Sequence, residues 1–158
     1  MNAVYRTVAA RIRADLHELA QVVERAARIW QHAEVSAESY HVDATALNLH
    51  SFYTGLERLL EAIADGIDQA KPSGPNWHQE LLRQMSAEIP HVRPPVLSPA
   101  TRDRLDRYRG FRHVVRNVYA FTLDAEQIEL LMRGLSSTME QVSQDLLAFA
   151  DFLERIDP

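Results

Sequence analysis

Apolar residues recur at steps of three and four along most of the chain, which is the spacing of one face of an α-helix. The first such stripe extends from about Ala3 to Ala33, and no proline or glycine interrupts it. Its apolar positions are Val8, Ile12, Leu16, Leu19, Val23, Ala26 and Trp30. At ~1.5 Å per residue the predicted helix is about 45 Å long, a length typical of a helix bundle.

A second long helix is predicted after a short break at Glu34–Ser36, and it ends by Lys71, before a loop of Pro, Ser, Gly and Asn at 72–76. Gly55 in its middle is expected to mark the close approach of another helix. Glu57 lies at the edge of the apolar stripe and is either an exposed glutamate or a half-buried carboxylate paired with an arginine. The predicted inward face comprises Val42, Ala46, Leu49, Phe52, Leu56, Leu59, Leu60, Ile63 and Ile67, with Tyr40 and Tyr53 beside it.

Three further helices are predicted from their start signals and stripes. Asn76 is expected to cap a short helix from Trp77 to about Ala87, and the prolines of 90–99 exclude a helix or central strand from 90 to 97. Ser98 caps a fourth helix that ends near Ala120, with Pro99 at its first position. Asp124 and Gln127 resemble a capping box for a last long helix. The predicted inward positions are Leu81, Leu82 and Met85, then Leu105, Tyr108, Phe111, Val115 and Val118, then Ile128, Leu131, Leu135, Met139, Val142, Leu146, Phe149, Leu153 and Ile156.

Four long helices and one short helix, with no strand-like alternation, predict an all-α fold, an antiparallel helical bundle formed by one domain over residues 1–158. The long, one-sided stripe of the last helix suits packing against other helices or against a second copy of the chain. The absence of cysteine excludes disulfides, thiolate nucleophiles and Cys-based zinc sites, and it fits a cytoplasmic protein. No apolar run reaches the ~18–20 residues of a membrane span, and the first residues lack the pattern of a signal peptide.

Charge is unevenly distributed along the chain. The net charge of −5 argues against generic nucleic-acid binding, yet residues 101–119 contain six arginines and two aspartates. A basic segment on an acidic chain favours local anion binding over coating of a polyanion. The alternative is a solvated helix face whose arginines only form salt bridges.

The densest group of polar side chains lies on the fourth helix, and we call Arg109, Arg112 and Arg116 the arginine strip. Their spacing of i, i+3 and i+7 places them on one face, continued by Tyr119 and flanked by His113 and Asn117. Gly110 is expected to let this face approach a neighbouring backbone. His17, His32, His78 and His91 are interpreted as structural or surface residues.

Such a strip has the groups that metal-free RNA cleavage requires. Arginines one turn apart can hold one phosphate, and a histidine can act as a general acid or base near neutral pH. RNA supplies its own nucleophile, the 2′-hydroxyl. The sequence contains no Gly-rich phosphate loop, no GxSxG motif and no carboxylate–histidine cluster with metal-ligand spacing, so neither a cofactor nor a metal is predicted.

Four segments resemble the HepT-like branch of the HEPN superfamily: ALNLHSFYTGLERLLEAIA at 46–64, the run from Trp77 with its leucines and methionine, RPP at 93–95, and FRHVVRNVYAF at 111–121. The resemblance extends from about Asp43 to Leu153 and is most specific in the fourth helix. It implies a HEPN-like α-helical homodimer whose two arginine motifs face each other across a cleft. It also implies a metal-independent endoribonuclease toxin, encoded beside an MntA-type nucleotidyltransferase antitoxin that transfers AMP to a motif tyrosine.

The family motif is an arginine, a polar residue, three variable residues, a histidine, any residue and a tyrosine. Its arginine aligns with Arg112, its polar residue with His113 and its tyrosine with Tyr119, whereas its histidine position holds Asn117. An alternative frame that starts at Arg116 places Phe121 at the histidine position and fits worse. Asparagine can orient a phosphate but cannot transfer a proton at neutral pH.

The first hypothesis is therefore an RNA-cleaving toxin with its antitoxin as partner and no DNA target. Arg112 and Arg116 hold the scissile phosphate, His113 transfers the proton, Asn117 orients, and Tyr119 accepts AMP. Arg109 and Glu57 support this site. The second hypothesis is a catalytically silent HEPN binding subunit of a two-component nucleotidyltransferase.

Overall fold

The computed structural model describes residues 3–35, 39–117 and 124–156, with side chains described for 3–33, 40–112 and 124–156. These ranges contain helices α1 (Ala3–Val35), α2 (Ser39–Ile63), α3 (Trp77–Met85), α4 (Pro99–Asn117) and α5 (Ala125–Ile156). A π-helical turn at Ala64–Asp68 continues α2. The described ranges include no β-strand, only an isolated bridge between Ile89 and Arg93. The predicted all-α fold of four long helices and one short helix is confirmed.

The long helices pack on one another through the predicted stripes. α1 packs against α2 and α5, and α4 packs against α2 and α5. Arg13 near the start of α1 contacts Asp151 near the end of α5, so these two helices are antiparallel. The shared core includes Ile12, Leu49, Phe52, Leu56, Leu60, Ile63, Leu81, Met85, Leu105, Val142, Leu146 and Leu153.

One predicted inward position, Ile156, is wrong, and Tyr40, which was expected to add aromatic bulk beside the inward face of α2, is exposed. Ile156 is 45% exposed at the end of α5, and Tyr40 is 60% exposed at the start of α2. Both lie in a terminal turn of their helix, where fewer helices are available to cover the stripe. None of the helices in the described ranges combines the length and the apolar composition that crossing a bilayer requires.

Gly55 and Gly110, the two helix glycines for which a close approach was predicted, differ. A β-carbon on Gly55 would lie 3.1 Å from Leu19 Cδ2, so the predicted close approach of another helix is confirmed, with α1 as the neighbour. A β-carbon on Gly110 would meet nothing within 4 Å among the described atoms. Within the part of the chain that the structure describes, the expected backbone approach at Gly110 is not found.

Helix starts follow the predicted caps with one exception. Ser98 Oγ accepts a hydrogen bond from the Thr101 amide at 3.2 Å, and Asp124 Oδ1 accepts one from the Glu126 amide at 3.0 Å. Asn76 precedes α3, but its side chain makes no capping hydrogen bond. α3 also ends at Met85, two residues before the expected Ala87.

A buried ion pair joins the π-helical turn to the proline-containing loop between α3 and α4. The side chains of Arg93 and Asp68 are both fully buried, and Arg93 Nη2 lies 2.8 Å from Asp68 Oδ2. The remaining Arg93 donors reach Asp68 Oδ1 and the carbonyl oxygens of Ala87, Pro94 and Gln84. All five guanidinium N–H groups are thereby satisfied, which is the condition under which a buried arginine is tolerated. The pair fixes the position of α3 relative to the end of α2.

Candidate functional site

α4 brings Arg109 and Arg112, the two described members of the arginine strip, to the side of the helix that faces α2 and α3. Arg109 Nε donates to Asp106 Oδ1 at 2.7 Å, one turn earlier on the same helix. Arg112 instead reaches across to α3, where its Nη1 lies 3.4 Å from His78 Nε2. The Arg112 Nε atom is buried and has no hydrogen-bond partner among the described residues.

Glu57 is buried beneath this contact. It is 3% exposed, and its Oε2 atom lies 2.7 Å from His78 Nδ1. The interpretation of Glu57 as an exposed glutamate at the stripe's margin is therefore wrong. The carboxylate does have a partner, but the group that touches it is a histidine of α3, which itself contacts the arginine strip.

Three side chains from three helices thus form a continuous row, Glu57–His78–Arg112. A carboxylate only accepts hydrogen bonds, so His78 Nδ1 carries the hydrogen that Glu57 binds. In the neutral ring, Nε2 then has a free lone pair and can accept from the Arg112 N–H. Trp77 packs on the His78 ring with centroids 3.7 Å apart and helps to hold its plane.

Tyr53 lies one turn before Glu57 on α2 and is fully buried. Burial raises the pKa of its hydroxyl far above the ordinary value, and the nearby Glu57 charge adds to this effect. Arg109 and Arg112 act in the opposite direction and do not cancel it. The Tyr53 hydroxyl therefore stays protonated near neutral pH and can donate a hydrogen bond but cannot act as a base.

The remaining predicted site residues lie at or beyond the limit of the described side chains. His113, Arg116 and Asn117 belong to α4 by their backbone, which remains helical through Asn117, but their side chains lie outside the described residues. Tyr119 lies outside the described residues altogether, and the predicted burial of Val115 and Val118 is likewise not described. Helical backbone over Arg112 and Arg116 keeps these two arginines one turn apart.

His78 is the functional candidate that sequence reasoning missed. The sequence alone favours a structural role for His78, and no motif spacing connects positions 57, 78 and 112. Two features of the sequence could have indicated His78. Glu57 was a carboxylate without an assigned partner, and His78 follows Trp77 in a segment that resembles the HepT-like family. Within the described ranges, no group of three histidine or carboxylate side chains is placed to hold a metal ion.

Comparison with known protein families agrees with this architecture. A family model described as HepT-like protein matches residues 44–153, more than half of the chain. The matched region contains α2 from its first turns, α3, α4 and most of α5, and it includes every residue of the Glu57–His78–Arg112 row. Searches of curated proteins and of solved structures gave no significant match. On the family match, the chain belongs to the HepT-like protein family.

Proposed function

We propose that this protein is a ribonuclease toxin that cleaves RNA at the arginine strip without a metal. The observation that carries the proposal is the environment of Arg112. Its guanidinium contacts a histidine ring instead of a carboxylate, and its buried Nε has no partner among the described residues. Arg112 as a whole is partly exposed, and no described carboxylate neutralises it, so its guanidinium is suited to a phosphate oxygen supplied by a substrate.

The reaction that fits these groups is an internal transesterification of RNA. The 2′-oxygen attacks the adjacent phosphorus, and the 5′-oxygen of the next nucleotide leaves. Arg112 and Arg116 bind the phosphate and stabilise the charge that develops on its oxygens. An imidazole must take the 2′-hydroxyl proton, because Asn117 cannot. His113, one turn before Asn117, is the candidate on the same helix, and Asn117 orients the phosphate.

The family context supports a two-component system. In this proposal the chain forms a homodimer with two arginine strips across one cleft, and a minimal MntA-like nucleotidyltransferase is its antitoxin. The antitoxin transfers AMP from ATP to the Tyr119 oxygen, with pyrophosphate as the leaving group and the phenolic proton passing to solvent. An AMP group there adds negative charge beside the arginine strip, and it would repel an RNA phosphate.

Replacement of Arg112 by alanine tests the cleavage proposal. We expect the purified wild-type chain to cut single-stranded RNA in the presence of EDTA, and Arg112→Ala to cut it about 100-fold more slowly. Arg104→Ala is the matched control, because Arg104 lies on the same helix but bonds Ser137 of α5. It is expected to cleave at the wild-type rate. Equal rates for wild type and Arg112→Ala would contradict cleavage at the arginine strip, whereas an inactive wild type would favour the silent binding subunit.

Replacement of Tyr119 by phenylalanine tests the proposed modification. After co-expression with the minimal nucleotidyltransferase, intact-mass measurement should show one or more AMP groups on the wild-type chain and none on Tyr119→Phe, which lacks the nucleophilic oxygen. Tyr40→Phe is the control, since Tyr40 is an exposed tyrosine of α2. AMP retained on Tyr119→Phe would contradict the assignment.

A further inference from the structure

We propose that His78 is a catalytic residue of this ribonuclease and that Glu57 is its positioning residue, so that the imidazole absent from position 117 comes from α3. This inference rests on the proposed function and adds to it a residue outside the family motif. The observation behind it is the Glu57–His78–Arg112 row, in which a histidine ring lies between a buried carboxylate and the arginine that holds the phosphate.

The contacts at the two ring nitrogens differ. Nδ1 is held firmly, at 2.7 Å from Glu57 Oε2, by a carboxylate whose side chain is 4% exposed. Nε2 has only the long 3.4 Å contact with Arg112 Nη1. Because N–H donors usually lie about 2.7–3.2 Å from their acceptors, the second contact is weak and a substrate hydroxyl can replace it.

The His78 side chain is 21% exposed, so its ring can be reached from solvent. Its basic nitrogen faces Arg112, the group expected to bind the scissile phosphate. The 2′-hydroxyl is attached to the ribose that carries this phosphate, so a base beside Arg112 is where the reaction requires one.

His78 Nε2 accepts the 2′-hydroxyl proton while the 2′-oxygen bonds to phosphorus, and the bond from phosphorus to the 5′-oxygen breaks. The leaving 5′-oxygen takes a proton from water, and the hydroxide so formed takes the proton from the His78 ring. The products are a 2′,3′-cyclic phosphate and a 5′-hydroxyl. Glu57 keeps the Nδ1–H tautomer and balances the positive charge that the ring carries after proton uptake.

Replacement of His78 by glutamine tests this role. We expect His78→Gln to lower kcat about 100-fold while the affinity for a non-cleavable 2′-deoxy-substituted RNA changes less than about threefold. The wild-type rate should depend on pH through the base that accepts the 2′-hydroxyl proton, and His78→Gln should lose this dependence. Glu57→Gln should be about tenfold slower and keep the pH dependence, because the ring remains but is less well held.

Controls distinguish this inference from the proposed function. His17→Gln changes an exposed histidine of α1 and should leave both rate and pH profile unchanged. His113→Gln tests the competing base on α4. If His78→Gln is not folded by circular dichroism, His78→Ala is assayed with added imidazole, which should restore cleavage.

The role of His78 would be overturned if His78→Gln kept the wild-type rate and pH dependence, or if His113→Gln were the only variant to lose them. Either result would still leave an RNA-cleaving protein. Failure of added imidazole to restore cleavage by folded His78→Ala would also overturn it. An inactive wild type would remove the proposed function and this inference together.

Discussion

Arg93→Met is expected to destabilise the protein by about 3–5 kcal/mol, because it leaves the Asp68 carboxylate buried without its cation. Both side chains of the pair are fully buried, and Arg93 also donates hydrogen bonds to the carbonyl oxygens of Ala87 and Gln84. Gln84 donates to Asp68 at 2.7 Å, but one neutral donor does not replace a guanidinium. Urea unfolding, monitored by circular dichroism, measures the change in unfolding free energy. The dependence of this free energy on urea concentration should stay unchanged if unfolding is two-state.

The matched control is Arg13→Met. Arg13 forms ion pairs with Asp151 and Glu154 between α1 and α5, and its side chain is 42% exposed. An exposed pair of this kind contributes about 0–1 kcal/mol. Asp68→Leu combined with Arg93→Met should cost less than Arg93→Met alone, because no buried charge remains. A loss of under about 1 kcal/mol for Arg93→Met would show that the buried charge is not what holds this loop.

Phe52→Ala is expected to cost about 3–5 kcal/mol of unfolding free energy. Phe52 is 0% exposed in the middle of α2, and its ring meets Tyr108 of α4 edge to face, with centroids 5.6 Å apart. Truncation removes the transfer free energy of the ring and leaves a cavity between α2 and α4. Tyr108 lies one turn before Arg112, so the same change loosens the contact that places the arginine strip. Thermal and urea unfolding both report the loss.

Leu47→Ala is the control for Phe52→Ala, because Leu47 belongs to the same helix and is 61% exposed. It is expected to change stability by less than about 0.5 kcal/mol. Similar losses for both variants would mean that packing of Phe52 against α4 is not what determines the loss, and helix propensity could not explain it either, because alanine is the best helix former.

Arg93 contributes to the family resemblance but takes no direct part in the chemistry of the proposed site. Arg93–Pro95 is one of the segments on which the resemblance to HepT-like proteins rests, yet the arginine is fully buried and holds Asp68. Its contribution to the site is indirect. It fixes Gln84 of α3 relative to the turn after α2, and the first turn of α3 carries His78.

The sequence predicted the helices well because each helix forms its backbone hydrogen bonds within its own segment. The apolar residues of its buried face also recur at a fixed period along the chain. The stripe of α5, the Ser98 cap and the loops around the prolines are local properties, so they could be read residue by residue. The arginine strip was readable for the same reason, since Arg109 and Arg112 belong to one helix. The match to the HepT-like family over residues 44–153 confirms the family resemblance found in the sequence.

What the sequence could not determine is which side chains meet across helices. The sequence allows Glu57 to be either exposed or paired and favours a structural role for His78. The contact between these two side chains depends on how α2, α3 and α4 pack. That packing places Glu57 2.7 Å from His78 and His78 3.4 Å from Arg112, although 21 and 34 residues separate these pairs in the chain. No local period encodes such distances. The sequence by itself determined the bundle and the arginine strip, and only the tertiary structure brought a histidine and a buried carboxylate to that strip.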